Sequence, residues 1–148
     1  MGDFLYVCVQ LVHNIGAAAV VGSPAVAWWL VRANQVPAEL LDRPVATVRF
    51  QRRLAWFTMF AWSIQVASGV GFGATTYYLK HELPELTGVG LAALGIKVAC
   101  ALVSIVLAIL YLRASSRWPA HWQSRVWQTL FVLGLTALIS AAFLRWYG

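Results

Sequence analysis

The chain has 148 residues, 61% of them hydrophobic and only 11% charged, with a mean hydropathy of +0.71. Soluble domains carry roughly 25% charged residues and disordered chains are poor in apolar ones, so both classes are excluded. A lone pair of cysteines, Cys8 and Cys100, excludes a disulfide-stapled secreted domain. The net charge of +6 comes almost entirely from arginines gathered between apolar runs. That distribution fits loops that hold a membrane protein's orientation, not a basic surface for nucleic acid.

Four apolar runs are long enough to cross about 30 Å of hydrocarbon, which takes about 20 helical residues. They cover residues 4–31, 54–79, 87–112 and 126–146. None shows the period-two alternation of a membrane barrel strand. The expected fold is therefore all-α and integral to the membrane: a single-domain, antiparallel bundle of four transmembrane helices.

The first run is expected to stay in the membrane. Its only early charge is Asp3, and its apolar stretch is longer than a cleavable leader needs. Gly16, Ala17, Ala18, Ala19, Gly22 and Ser23 favour close helix packing, and Pro24 predicts a kink. After it, the stretch from Ala33 to Gln51 is the largest non-membrane piece, with a surface helical turn expected around residues 38–41. The second run carries Ser68-Gly69-Val70-Gly71-Phe72-Gly73. With no strand before them, these glycines read as packing and not as a phosphate loop.

Loop charge sets the expected orientation. Arg32, Arg43, Arg49, Arg52 and Arg53 lie between the first two runs, and Arg113, Arg117 and Arg125 between the last two. The middle loop has Lys80 against Glu82 and Glu85. Arg49, Arg52, Arg53, Arg113 and Arg125 are thus expected as cytoplasmic anchors, with both termini outside, in the periplasm if the membrane is a bacterial one.

The informative residues are polar groups in apolar surroundings. Gln10, His13 and Asn14 stand at i, i+3 and i+4 on one face of the first helix. Lys97 lies deep in the third run, and Ser63 and Gln65 lie in the second. Counting inward from Phe4 and Thr87, His13 and Lys97 each lie about 14 Å deep, at one level near the midplane. A charged lysine there costs at least about 2.5–3.5 kcal/mol on the insertion scale. The five acids, Asp3, Glu39, Asp42, Glu82 and Glu85, all fall outside the deep segments, so none can pair with it.

The residues leave three roles open for His13: a neutral packed imidazole, a metal or haem ligand, or a proton carrier. For Lys97 the reading is a site-forming amine facing Asn14, Gln65, water or a ligand. His81 and His121 are too far from His13 to share one iron, and no Met or Cys track suits soft copper coordination. No carboxylate lies in the membrane for hydrolytic chemistry, and no catalytic residue is expected.

The residues then resemble a known family. Leu11-Val12-His13-Asn14-Ile15-Gly16-Ala17-Ala18-Ala19, the helix entry Val48-Arg49-Phe50-Gln51-Arg52-Arg53-Leu54 and Ser68-Gly69 are similar to the copper-resistance D (CopD-like) membrane domain. So are Ile96-Lys97-Val98, Leu110-Tyr111-Leu112-Arg113 and Arg125-Val126-Trp127-Gln128, with Gln128 where an acid would be expected. A more distant likeness is to HemJ-type protoporphyrinogen oxidases, from which the chain departs with Gly95 in place of a histidine. The CopD-like resemblance implies an inner-membrane protein tied to copper or to haem b, with His13 and Lys97 as the matched positions. It leaves three functions to weigh: a pocket for a metal or haem, a non-catalytic subunit of a larger membrane redox or transport complex, and a tetrapyrrole oxidase. The expected partners are the lipid bilayer and other membrane subunits.

Overall fold

The computed structural model describes residues 2–33, 44–80 and 88–147. They form α1 (Gly2–Ala33), α2 (Pro44–Lys80), α3 (Gly88–Ala114) and α4 (Ala120–Tyr147), with a 3-10 turn at Ser115–Arg117 before α4. The helical turn expected around residues 38–41, and the charges at Glu39, Asp42, Arg43, Glu82 and Glu85, lie outside the described residues, as does His81.

Each helix packs on two neighbours, α1 on α2 and α4, and α3 on α2 and α4. The contacts run in opposite senses along each pair. On α1 and α2, His13 meets Ser68 and Ser23 meets Thr58; on α3 and α4, Tyr111 meets Trp127. The bundle is therefore antiparallel and roughly square, with α1 diagonal to α3.

Three of the helices, α1, α3 and α4, are long and apolar enough to cross a membrane. The chain is a multi-pass membrane protein by that measure. α2 starts at Pro44, ten residues before the apolar run begins. Proline suits a helix's first turn, where its missing N–H has no partner to lose. The added turns carry Arg49, Arg52 and Arg53, all exposed.

Burial is inverted relative to a soluble protein. Large apolar side chains face outward, among them Phe4, Leu11, Ile15, Leu102, Val106 and Ile139. The inside holds small and hydroxyl residues, including Ala27, Ala55, Ala61, Ala101, Ser23, Thr58, Ser68 and Ser104. Lipid is as apolar as leucine, so membrane helices associate through close backbone approach and hydrogen bonds instead of by hiding leucines.

Two layers fill the interior. Tyr111, Trp127, Leu130, Ala27, Val31 and Ala55 pack near the arginine-bearing end. Val20, Trp62, Cys100, Ala101 and Ala137 pack in the middle. At the arginine-bearing end, Tyr111 Oη donates to Gln51 Oε1 at 2.9 Å, while Gln123 Nε2 donates to the carbonyls of Ser115 and Trp118. This network closes the turn between α3 and α4.

A close helix contact joins Gly134 to the turn before Pro24. Pro24 has no N–H for the carbonyl of Val20 four residues before it. That oxygen turns to α4, where a Cβ on Gly134 would stand 2.7 Å from it. Only a glycine lets α4 approach so closely.

Candidate functional site

Above this crossing, α1 and α4 leave space between them. α1 supplies His13, three residues past Gln10 and on the same face. α2 supplies Gln65, Ser68 and Phe72, spaced i, i+3 and i+7 on one face. α3 supplies Lys97. The structure brings the imidazole and the amine together: Lys97 Nζ stands 3.2 Å from His13 Nε2. Because α1 and α3 are diagonal, this pair reaches across the bundle. Both residues lie about a third of the way along their helices, at matching levels.

His13 is held on three sides. Its Nδ1 is 2.8 Å from Ser68 Oγ, and its backbone carbonyl accepts from Gln65 Nε2 at 2.9 Å. The Phe72 ring meets the imidazole edge-on, with centroids 5.4 Å apart. Gly16 lets Gln65 lie flat on α1, since a Cβ there would be 3.3 Å from Gln65 Cγ.

The hydrogen bonds have a direction. An ammonium can only donate, so with Lys97 charged, Nε2 must accept. The ring proton then sits on Nδ1 and is donated to Ser68 Oγ. The serine hydroxyl in turn donates to the carbonyl of Gln65, 3.2 Å away. If the proton moves from Nζ to Nε2, the ring becomes cationic and Nδ1 still donates to Ser68. The pair thus shares one transferable proton, with Ser68 fixing the far side of the ring.

A cavity of about 120 Å³ adjoins the pair. His13, Asn14, Gln65, Lys97 and Trp62 line it, with Ala17 and Val20 of α1 and Gly134, Ala137, Leu138 and Ala141 of α4. Gln65 and Trp62 are almost wholly buried, yet Gln65 Oε1 and Trp62 Nε1 have no hydrogen-bond partner. Asn14 and Leu138 are exposed, so the mouth opens sideways between α1 and α4. Gln10 lies outside the lining and donates to Asn14 Oδ1 at 3.1 Å.

Other polar positions do not join the site. Ser63, Thr136 and Ser140 return their hydroxyls to carbonyls of their own helices. Cys100 is buried in the apolar layer, and Cys8 lines a separate groove between α1 and α2. Arg52 and Arg113 flank one recess near the other end, with Trp56 and Met59. Arg125 lies over the ring of Trp122, and Arg32 over Trp28. Arg49, Arg53 and Arg125 are exposed near that same end.

Copper and haem can be tested against these side chains. Among the described residues, no group of three or more His, Cys, Asp or Glu could hold a metal ion. The cavity lining offers copper one imidazole nitrogen and no sulfur. Its volume is well below the roughly 300–1,000 Å³ typical of small-molecule pockets, too little for a macrocycle. Haem b does not fit there.

Ser68 and Trp62 carry weight that sequence reasoning missed. Ser68 had a legible signal, since it follows Gln65 by three on one helix face. Trp62 had none, because an indole in an apolar helix is indistinguishable from packing until its N–H is seen without a partner. The chain matches no family model, no curated protein and no solved structure, so its function is read from the geometry of this pocket.

Proposed function

We propose that this chain is a CopD-like inner-membrane protein with four spans, whose work is done by the His13–Lys97 pair: it binds a ligand within the bilayer and exchanges a proton with it. The carrying observation is the 3.2 Å approach of Nζ to Nε2, backed by Ser68. An ionisable pair in a membrane interior is costly, so a site that keeps one has a use for it. Counting α2 as the fourth span is supported by its packing between α1 and α3. The arginines at one end of the bundle support both termini lying outside. No Asp or Glu side chain lines the pocket, which speaks for binding and proton exchange without hydrolysis.

Solid-state 15N NMR of the protein in lipid vesicles tests this reading. The chain has three histidines and two lysines, so assignment by single substitutions is practical. Lys97→Met should shift the His13 ring nitrogens, whereas Lys80→Met should leave them in place. An unmoved His13 signal in Lys97→Met would end the proposal.

A second reading places a metal ion, copper by the family likeness, on His13. One observation favours it: Ser68 holds Nδ1, as outer partners do for ligating histidines, so that a metal would take Nε2 in place of Lys97 Nζ. The remaining ligands would come from water or from another membrane subunit. Metal analysis with an absorption spectrum of gently purified protein checks it, and metal lost in His13→Ala is the supporting result. Folded protein that takes up no copper on titration would remove it.

A further inference from the structure

The cavity has apolar walls, a sideways mouth and a polar floor, and these three features together select a ligand class. Val20 and Gly134, where α1 and α4 approach closely, form the lower edge of the cavity. The rim is Asn14 on α1 and Leu138 on α4, both exposed. A molecule entering there comes from among the lipid chains, not from water.

The floor then asks for a particular chemistry. Lys97 Nζ has three donor positions, of which His13 Nε2 takes one. Gln65 Oε1 is an acceptor, almost wholly buried and without a partner. Its amide orientation is fixed, because Nε2 of the same side chain donates to the His13 carbonyl. A carboxylate or halide would satisfy the lysine but be repelled by Oε1, to which it has nothing to donate. A ligand that carries both an acceptor oxygen and a hydroxyl satisfies both groups. Asn14, its Oδ1 engaged by Gln10, keeps its NH2 at the rim for a second acceptor.

We infer that the cavity binds the single-ring head of a lipid-soluble quinol, which enters between α1 and α4. One hydroxyl oxygen of the quinol accepts from Lys97, and its O–H donates to Gln65 Oε1. A cavity of about 120 Å³ admits one ring and leaves the tail among the acyl chains. This inference rests on the proton-exchanging reading and names its ligand: a quinol hydroxyl gives its proton to the His13–Lys97 pair, and the quinolate takes one back from it.

The test uses the purified full chain in nanodiscs and a photoreactive benzoquinol with a short alkyl tail, kept reduced and mapped by mass spectrometry. Label should concentrate on α1 and α4 near Asn14 and Leu138, and excess unlabelled benzoquinol should remove it. Leu138→Trp, which fills the mouth from an exposed position, should weaken binding at least tenfold. Lys97→Met should do the same, while Leu102→Trp on the outer face of α3 should change nothing. The His13 15N signals in Leu138→Trp report folding and pair geometry separately. Label spread evenly over the outer faces, or insensitive to Leu138→Trp with those signals intact, would overturn the quinol site and leave the pair standing. Label removed by palmitate but not by benzoquinol would overturn it in favour of a carboxylate ligand.

Discussion

At the level of single residues, the pocket keeps groups that stability alone would discard. Among the described residues no acid side chain pairs with Lys97, and its amine is compensated by one imidazole nitrogen. Replacing it with methionine keeps the volume and removes the desolvation cost. Lys97→Met is therefore expected to raise resistance to thermal unfolding in detergent, by about 1–3 kcal/mol, while abolishing the pocket's function. A destabilised Lys97→Met protein would mean that the amine serves the fold. Tyr111 is the opposite case. Its hydroxyl is buried and donates to Gln51 at 2.9 Å, so Tyr111→Phe strands an amide oxygen and should cost about 1–2 kcal/mol in the same assay. The polar residues of α1 and α3 could be picked out by depth and helical spacing. Which of them meet could not, because Gln10 and Asn14 share the face of His13 yet only Asn14 reaches the cavity.

Between elements, the decisive contact is α1 against α4. Gly134 lies on the carbonyl that Pro24 leaves without its helical partner, and a methyl group at Gly134 would collide with backbone. Gly134→Ala should therefore push the helices apart and cost about 1–3 kcal/mol, widening the cavity as it does so. Gly22→Ala is the control, since a Cβ there meets nothing within 4 Å, and its effect should stay within about 0.5 kcal/mol. Thermal unfolding of both variants decides the matter, and equal losses would refute the close-approach account. Pro24 was legible as a disturbance in α1 from the sequence. Its consequence was not, because the partner is more than a hundred residues away on α4. The same holds for α2: its apolar run marked the middle of the helix, while its start at Pro44 had no hydropathy signal, only the helical tolerance of the residues that follow.

For the molecule as a whole, charge and topology point the same way. Arg32, Arg49, Arg52, Arg53, Arg113, Arg117 and Arg125 all lie near one end of an antiparallel bundle. Reporter fusions at either terminus should read out on the outer side, and changing Arg113, Arg117 and Arg125 together to glutamine should give mixed orientation. Unchanged topology in that triple variant would place the signal in the first loop alone. The transmembrane bundle was foreseeable from composition, because an apolar chain with few charges has few ways to satisfy its backbone in lipid. Run length carried the order of the helices, since it is a one-dimensional quantity.

The pocket belongs to the tertiary structure. Sequence alone placed an imidazole and an amine at one depth on two helices, a statement about height along the bundle axis. Whether they would meet depended on how each helix is rotated about its own axis and on which helices are diagonal. Those angles are set by packing between distant segments: Gly16 under Gln65, Gly134 on Val20, Ser23 against Thr58. Spacing along a chain defines a face. Only contact with the other helices decides what that face looks at.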